Sequence, residues 1–245
     1  MDDSRVQLKE LNCRSYDKIC NAQDDYRAAL DLVSGRLAAL SGQELRRGPA
    51  VVELGCGTGE CTCQLAEVTQ SVRITAVDCD ERALNCAERK LASKSLVGKV
   101  SLVRADAMTQ LQAWVGERRY WDVVISTFTF HNWDIEYRTS VLTLLVGILG
   151  RGGQLIIADY FPRDVIAGTA AFRMHVRRLF DIMAPLGELG LLREWVSHTI
   201  EDMAPSRIMY EDAAIRSMKD VGFAAVHCDR LSELTAVISG KIPLR

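Results

Sequence analysis

The chain has 245 residues, with 30 Lys and Arg side chains against 32 Asp and Glu, which gives a formal charge of −2. Hydrophobic residues make up 48% and charged residues 25%. This composition is typical of a folded globular protein and excludes a disordered or collagen-like chain. The near-neutral charge argues against a broad basic surface, so no nucleic-acid partner is expected.

The first ten residues, MDDSRVQLKE, are polar and contain no secretory signal. The most apolar run, at 141–149, is too short to cross a bilayer. We therefore expect a cytoplasmic protein with no membrane partner, and a homodimer is left open. The eight cysteines are expected to be free thiols, since a reducing compartment disfavours a disulfide framework. Cys56, Cys61 and Cys63 lack the paired spacing of a zinc site, so no metal is expected.

Short apolar, β-branched runs alternate with amphipathic stretches of helical length along the middle of the chain. They predict strands at 50–54, 72–77, 100–103, 121–126 and 155–158, and helices at 58–69, 81–93, 107–115 and 135–149. Such alternation is typical of a parallel sheet covered on both faces. Two last strands, at 223–228 and 234–239, follow a helix and are predicted to include an antiparallel member. The sequence thus predicts an α/β, Rossmann-like, seven-stranded and mostly parallel sheet with helices on both faces.

Two helical regions fall outside this alternation and are not needed to complete the sheet. One precedes the first strand, at 15–40, and the other follows the fifth strand, at 162–205. Segments added at the carboxyl edge of an open α/β sheet usually cover the ligand crevice. We therefore predict one domain, 1–245, with an N-terminal helical lid in 1–45 and a helical lid insertion at 162–205.

The sequence ELGCGTGE at 53–60 follows a predicted strand and opens a helix, which lets the backbone approach a ligand closely. A Walker loop requires Gly-Lys-Ser/Thr where Glu60, Cys61 and Thr62 stand, so a P-loop is excluded. A dinucleotide fingerprint requires glycine at position 60. The carboxylate of Glu60 would oppose a pyrophosphate at the helix N-terminus, so NAD is disfavoured.

A GxGxG turn with an acid two residues upstream resembles motif I of the class I S-adenosylmethionine-dependent methyltransferases. The resemblance implies S-adenosylmethionine as the cofactor, with the backbone of Gly55, Cys56 and Gly57 against it. This cofactor carries no phosphate, and its methionine end carries an ammonium group. Glu53 places a negative charge near that ammonium group.

Acidic residues follow the next two strands at positions that match the same family. Asp78, with Cys79 beside it, closes the second strand where an acid accepts hydrogen bonds from the ribose hydroxyls. Asp80 is the alternative candidate for this ribose contact, but it is interpreted as a helix N-cap. Asp106 and Ala107 resemble the pair that meets the adenine ring, and Asp106 is also suited to an N-cap. Including the motif IV-like run at 120–126 and the glycine turn at 149–155, the resemblance covers about residues 51–159.

The flanks look most like carboxy-S-adenosylmethionine synthase, which has the methyltransferase fold and modifies the cofactor itself. Tyr26 matches a lid tyrosine near the methionine end, the TFTF run from Thr127 matches the end of the fourth strand, and the FRMH run at 172–175 matches a later motif. That family holds the transferred carboxylate with an arginine. Here Trp195 stands near the arginine position and Arg193 lies two residues earlier, on a nearly opposite face of the helix.

His131 follows the fourth strand and is the candidate general base, with a loop histidine that only packs as the alternative reading. Asn132 or Asp134 could orient a substrate, although Asp134 is also suited to capping a helix. Tyr160 and Phe161 follow the fifth strand and are expected to line the pocket. The aromatic face of Tyr160 could also stabilise a sulfonium by cation–π attraction, so Tyr160 is the second catalytic candidate.

Three arginines cluster near His175 in the second lid region, at positions 173, 177 and 178. Such a run is usually a solvated helix face, but an inward arginine would indicate an anionic substrate. We predict methyl transfer to a small molecule. The alternative is a non-methylating use of S-adenosylmethionine, either carboxy transfer onto it or attack on its aminobutyryl arm that releases methylthioadenosine. A silent S-adenosylmethionine-binding module is the third hypothesis.

Overall fold

The computed structural model describes residues 13–41, 48–68 and 71–244. The strands are β1 Ala50–Leu54, β2 Arg73–Asp78, β3 Val100–Arg104, β4 Trp121–Thr127, β5 Leu149–Tyr160, β6 Ala224–Arg230 and β7 Thr235–Lys241. The helices are α1 Cys13–Asn21, α2 Asp24–Ser41, α3 Glu60–Glu67, α4 Glu81–Ser93, α5 Ala107–Gly116, α6 Ile135–Ile148, α7 Val165–Met183, α8 Leu189–Asp202 and α9 Glu211–Asp220.

The seven strands form one sheet in the order β3-β2-β1-β4-β5-β7-β6. The first five strands pair in parallel, while β7 runs antiparallel to both of its neighbours, β5 and β6. The predicted seven-stranded, mostly parallel sheet is therefore confirmed. In this order all five parallel strands end at one edge of the sheet. The strand order reverses between β1 and β4, and α/β folds bind their ligands at such a point.

Two hydrophobic cores cover the sheet, one on each face. One core joins the sheet to α5, α6 and α9, with Trp114, Leu145 and Met218 among its buried side chains. The other joins it to α2, α3 and α4 through residues such as Leu37 and Leu65. Both faces of the sheet are thus buried, which explains why its strands consist of almost continuous apolar runs.

The added helices pack on one another. A third cluster holds Ile19 of α1 against Leu179 and Met183 of α7 and against Leu191 and Leu192 of α8. The two regions predicted as lids are therefore joined by an apolar core of their own. The predicted N-terminal lid, 1–45, extends into residues 1–12 and 42–45, which lie outside the described part of the chain.

Three sequence expectations differ from the structure. The glycine turn at 149–155, expected between a helix and the fifth strand at 155–158, lies inside β5, because α6 already ends at Ile148. The third helix was predicted from 58 but begins at Glu60, after the left-handed Gly59. Cys13 and Cys86 form a disulfide between α1 and α4, although free thiols were expected, and six cysteines are free.

Candidate active site

A cavity of about 120 Å³ opens at the carboxyl edge of the parallel strands. Ten of its lining residues lie at the ends of β1, β2, β3 and β4 or directly after them: Gly55, Cys56, Gly57, Asp78, Cys79, Ala105, Asp106, Ala107, Thr127 and Phe128. Tyr26 of α2 also lines the cavity. Of the ten residues predicted from the sequence to bind the cofactor, nine therefore line a single cavity. We call it the cofactor cavity.

The loop after β1 has the backbone that a close ligand approach requires. Gly55 and Gly59 have φ angles of +72° and +78°, in the left-handed region that L side chains rarely adopt. A Cβ atom on Gly55 would also collide with the side chain of Thr129, and one on Gly59 would lie 2.8 Å from Cβ of Ala87. Glycine is thus required at these two positions both for conformation and for space.

Asp78 is fixed at the floor of the cofactor cavity by two backbone hydrogen bonds. Its Oδ2 accepts from the N–H of Gly57 at 2.7 Å, and its Oδ1 accepts from the N–H of Asp80 at 2.9 Å. Burial raises the pKa of this carboxyl group above its usual value. Each oxygen retains lone pairs, so the carboxylate can accept two further hydrogen bonds from a diol.

Replacing Asp78 by alanine is expected to weaken S-adenosylmethionine binding by about 2–3 kcal/mol, because hydrogen bonds to a charged group are lost. This corresponds to about a 30- to 150-fold higher Kd in isothermal titration calorimetry. Asp80→Ala is the control. Asp80 also lines the cavity, but Arg82 engages both of its carboxylate oxygens and Asp80 caps α4, so its loss should lower thermal stability and change Kd less than the loss of Asp78. An Asp78→Ala variant with the same Kd as the parent protein would exclude Asp78 as the ribose ligand.

Asp106 both caps a helix and faces the cofactor cavity. Its Oδ1 accepts from the N–H of Thr109 at 3.1 Å, which confirms the predicted N-cap of α5. Its Oδ2 accepts from the hydroxyl of Tyr137 at 2.8 Å. The same tyrosine oxygen accepts from the N–H of Met108. The carboxylate is therefore held rigidly at the end of β3, beside Ala107.

Glu53 is the exception among the predicted cofactor residues, because it is fully buried and does not line the cofactor cavity. Its Oε2 accepts from the hydroxyl of Thr62 at 2.5 Å, while Oε1 is buried with no hydrogen-bond partner among the described residues. Burial raises the pKa of Glu53 from near 4.5 to about 7, against the lowering effect of Thr62. The carboxyl group lies beneath the glycine loop and not on the cavity surface.

Because the pKa of Glu53 is higher in the folded state than in the unfolded state, the folded state binds its proton more tightly. Its ionisation therefore lowers stability as the pH rises from about 4.5 to 7. Glu53→Gln keeps an acceptor for Thr62 and removes this penalty of up to about 3 kcal/mol. We expect its melting temperature to exceed that of the parent protein at pH 8 and to match it at pH 4. The same difference in melting temperature between the two proteins at pH 8 and at pH 4 would contradict a role for the ionisation of Glu53.

The cofactor cavity suits a ligand without phosphate. Among the described residues, no Lys or Arg lines it, whereas Asp78 and Asp106 do, together with Tyr16, Tyr26 and Phe128. Carboxylates at the ends of adjacent strands can receive ribose and adenine donors, and the aromatic faces can lie against a sulfonium. These residues fit S-adenosylmethionine.

Helix α1 is tied to the edge of the cofactor cavity by polar contacts. Asp17 accepts from the hydroxyl of Thr58 at 2.5 Å and pairs with Lys90 at 2.8 Å. Lys90 also pairs with Glu60 at 2.5 Å, and Asn21 donates to the second oxygen of Glu60 at 3.1 Å. Glu60, which excludes a dinucleotide fingerprint, thus serves to anchor α1.

A second cavity of about 30 Å³ adjoins the first, since Tyr16, Tyr26 and Phe128 line both. Its other lining residues come from α1, the turn before α2, the short helical turn after β4, the end of β5, and α8: Cys20, Gln23, His131, Tyr160, Trp195, His198, Thr199 and Asp202. We call it the inner chamber. It has room for only a few water molecules, so a substrate must displace the helices around it to enter.

His131 lies in the inner chamber between two carboxylates. Its Nδ1 is 2.6 Å from Oδ1 of Asp159, and its backbone N–H donates to the other oxygen at 3.2 Å. Its Nε2 is 3.9 Å from Oδ2 of Asp202. Burial lowers the pKa of His131, but the two carboxylates outweigh it and raise the pKa to about 9.

Asp159 and Asp202 were missed by the sequence analysis. Asp159 follows four apolar residues at the end of β5 and is fully buried, so a polar side chain at the end of an apolar strand was an available signal. Asp202 closes α8. Nothing local distinguishes it from an ordinary helix residue, because only the packing of α8 brings it to His131.

Tyr160 was predicted as catalytic and lies in the inner chamber, with its ring centroid 5.0 Å from that of His131 and 5.4 Å from that of Phe128. Burial raises its pKa well above 10, so it remains a neutral phenol and an aromatic wall. Phe161, expected beside it, instead lines a separate cavity under α6 and α9. Asp134 caps α6, which was one of the two roles considered for it. Asn132, the other residue considered for orienting a substrate, lines the cofactor cavity.

In the described part of the chain, no arginine lines either cavity in the way expected of the carboxylate clamp of the carboxy-S-adenosylmethionine synthases. Trp195 lines the inner chamber and stacks on Tyr16 with centroids 5.3 Å apart, while Arg193 is exposed. The arginines at 173, 177 and 178 are exposed on α7. Within the described ranges, no Arg or Lys lines the inner chamber, which disfavours an anionic substrate.

A Rossmann-like sheet with a glycine loop after β1 and acids after β2 and β3 defines the class I methyltransferase fold. Comparison with known proteins agrees. Residues 51–153 match the family model of a methyltransferase domain. The chain is 27% identical over 191 residues to the ubiquinone/menaquinone biosynthesis C-methyltransferase UbiE of Yersinia enterocolitica, covering 77% of this chain and 71% of that relative. The fold, the site and these comparisons together support a class I S-adenosylmethionine-dependent methyltransferase.

Solved structures show the same fold. Magnesium protoporphyrin IX methyltransferase (ChlM) from Synechocystis PCC 6803, with bound SAH, superposes with a TM-score of 0.60 at 16% identity and covers 96% of this chain and 89% of its own. An O-methyltransferase family protein from Burkholderia thailandensis gives a TM-score of 0.61 at 17% identity, covering 91% and 61%. Several matches span little more than half of the relative, such as 55% for UbiE of Yersinia pestis and 54% for the methyltransferase SibL.

Proposed function

We propose that the protein transfers a methyl group from S-adenosylmethionine to a hydroxyl group of a small molecule held in the inner chamber. The observation that carries this proposal is the pair of His131 and Asp159 beside the cofactor cavity, with Nδ1 and Oδ1 2.6 Å apart. A buried histidine oriented by a carboxylate is a suitable general base for a protonated nucleophile. A carbon nucleophile that carries no ionisable proton would not need it.

S-adenosylmethionine supplies a methyl group already activated by a sulfonium, so the protein has two tasks, to align a nucleophile and to remove its proton. Asp159 accepts from Nδ1 of His131 and directs Nε2 toward the inner chamber. Nε2 takes the hydroxyl proton as the oxygen attacks. The walls formed by Tyr26, Phe128 and Tyr160 hold the acceptor and keep water out.

We further propose that α1, α7 and α8 act together as the lid over both cavities. They share a core around Ile19 and Leu179, and α1 and α8 supply Tyr16 and Trp195 to the cavity walls. The inner chamber is too small to admit an acceptor with these helices in place. A cytoplasmic location, a homodimeric assembly and the lack of a nucleic-acid partner stay predictions from the sequence. None of the described helices is both long and apolar enough to cross a membrane.

The test is incubation of the purified protein with S-adenosylmethionine, first alone and then with a panel of phenols and aliphatic alcohols. Mass spectrometry identifies the nucleoside product, and NMR locates the new methyl group. S-adenosylhomocysteine together with a methyl ether supports the proposal. A C-methylated product contradicts the oxygen acceptor, and methylthioadenosine or a carboxylated cofactor contradicts methyl transfer itself.

A further inference from the structure

Asp202 closes α8 with a carboxylate that the proposed proton transfer does not use. Its side chain is only 7% exposed and lines the inner chamber. Oδ1 is buried and has no hydrogen-bond partner among the described residues. Oδ2 lies 3.9 Å from Nε2 of His131, which is too far for a direct hydrogen bond. A buried acceptor without a donor is costly, so a bound ligand that supplies one would be favoured.

The walls around this carboxylate are aromatic. Tyr16 stacks on Trp195 with an angle of 12° between the rings, and Tyr26 meets Phe128 with centroids 5.1 Å apart. Tyr160 also lines the chamber. Flat walls in a narrow space favour a flat ring, because offset or edge contacts between aromatic groups add to the gain from burial.

We infer that the acceptor is a planar aromatic compound with a second hydrogen-bond donor, a hydroxyl or amino group, next to the methylated hydroxyl, and that Asp202 recognises this donor. The inference rests on the proposed function. Neighbouring substituents on one ring lie close together, so one faces Nε2 of His131 while the other reaches Asp202. Asp202 is thus a specificity-determining residue.

The charges around the chamber favour a neutral donor over a cation. Arg138 and Arg207 act on the carboxylates of Asp159 and Asp202 from outside the chamber, and His131 acts on Asp202 from within. These positive groups offset the two carboxylates. His198 also faces the chamber, and burial lowers its pKa, so it remains neutral. Oδ1 of Asp202 therefore lacks a hydrogen-bond donor, whereas the surroundings of the chamber already supply positive charge.

Two pairs of phenols test the inference. Each pair compares a ring with an adjacent donor against a ring of similar size without one, namely catechol against guaiacol and 2-aminophenol against 2-methylphenol. We expect the parent protein to favour the donor in each pair at least tenfold in kcat/KM. Asp202→Leu should reduce this preference to about onefold, and Asp202→Asn, which keeps a neutral acceptor, should give an intermediate value. Glu194→Gln is the matched control, because Glu194 has a buried, unpartnered oxygen on the same helix but does not line the chamber.

Calorimetry with S-adenosylhomocysteine present measures binding of the same four compounds without turnover. A donor preference in binding that Asp202→Leu abolishes supports the inference, even if no methylation occurs and the proposed function fails. Methylation without donor preference overturns the inference and leaves the proposed function intact. A shifted pH profile with an unchanged preference in Asp202→Leu also overturns it, since Asp202 would then only tune His131. Absence of binding by all four compounds at millimolar concentration overturns the aromatic class.

Discussion

The His131→Gln variant is expected to lose about 10²- to 10⁴-fold in kcat/KM while binding S-adenosylmethionine with nearly unchanged affinity. The loss follows from removing the one proton-accepting side chain, among the described residues of the inner chamber, that a buried carboxylate orients. The affinity should survive because His131 does not line the cofactor cavity. Glutamine is preferred to alanine, since its amide can donate to Asp159 and avoid leaving a buried carboxylate unpaired.

The measurement is the single-turnover rate with saturating cofactor, together with calorimetry for affinity and a melting curve for folding. His227→Gln is the control, because His227 is exposed on β6, where its partner is Asp229. If His131→Gln retained a rate within threefold of the parent protein, His131 would be a packing residue, which was the alternative interpretation of its position.

The fold was largely predictable because a strand that is buried on both faces of a sheet requires a nearly continuous run of apolar residues. An apolar run predicted β1 from Ala50 to Leu54, and an amphipathic stretch predicted α4 from Glu81 to Ser93, both with the bounds that the structure shows. The boundaries at α3 and β5 were wrong for a local reason. Gly59 and Gly152 have left-handed backbones, and a glycine alone does not reveal whether it precedes a helix or bends a strand.

The cofactor cavity was predictable for a related reason, since it is built from residues that directly follow predicted strands. Asp78 and Asp106 are polar residues at the point where an apolar run stops, and parallel strands bring such points to one edge. Glu53 shares that pattern but lies within β1, so its side chain points into the protein and not into the cavity.

The inner chamber could not be predicted in the same way. Its wall depends on how α1 and α8 pack on each other, and the stacking of Tyr16 on Trp195 joins residues 179 positions apart. The disulfide between Cys13 and Cys86 is a contact of the same long-range kind. Helical periodicity fixes which face of such a helix is apolar but does not fix its neighbour or its height above the sheet.

The pH dependence of kcat/KM follows from the two carboxylates around His131. Because they raise its pKa to about 9, the base form is scarce at neutral pH. We expect log kcat/KM to rise by about one per pH unit and to level off near pH 9. An imidazolium with an ionised hydroxyl and a neutral imidazole with a protonated hydroxyl contain the same number of protons, so both assignments give this profile.

Asp159→Asn is expected to lower kcat/KM at pH 9 by about 10²- to 10⁴-fold and to move the inflection below pH 9. The asparagine removes one negative charge, which lowers the pKa of His131, and it can present an N–H where Nδ1 needs an acceptor. The imidazole would then carry its proton on Nε2, where a general base must be free to receive one. Asp134→Asn makes the same change on the neighbouring loop, where asparagine also caps α6, and should leave the profile in place. A profile of Asp159→Asn that keeps its inflection near pH 9 would show that another group titrates, and the acceptor itself would then be the source of the proton dependence.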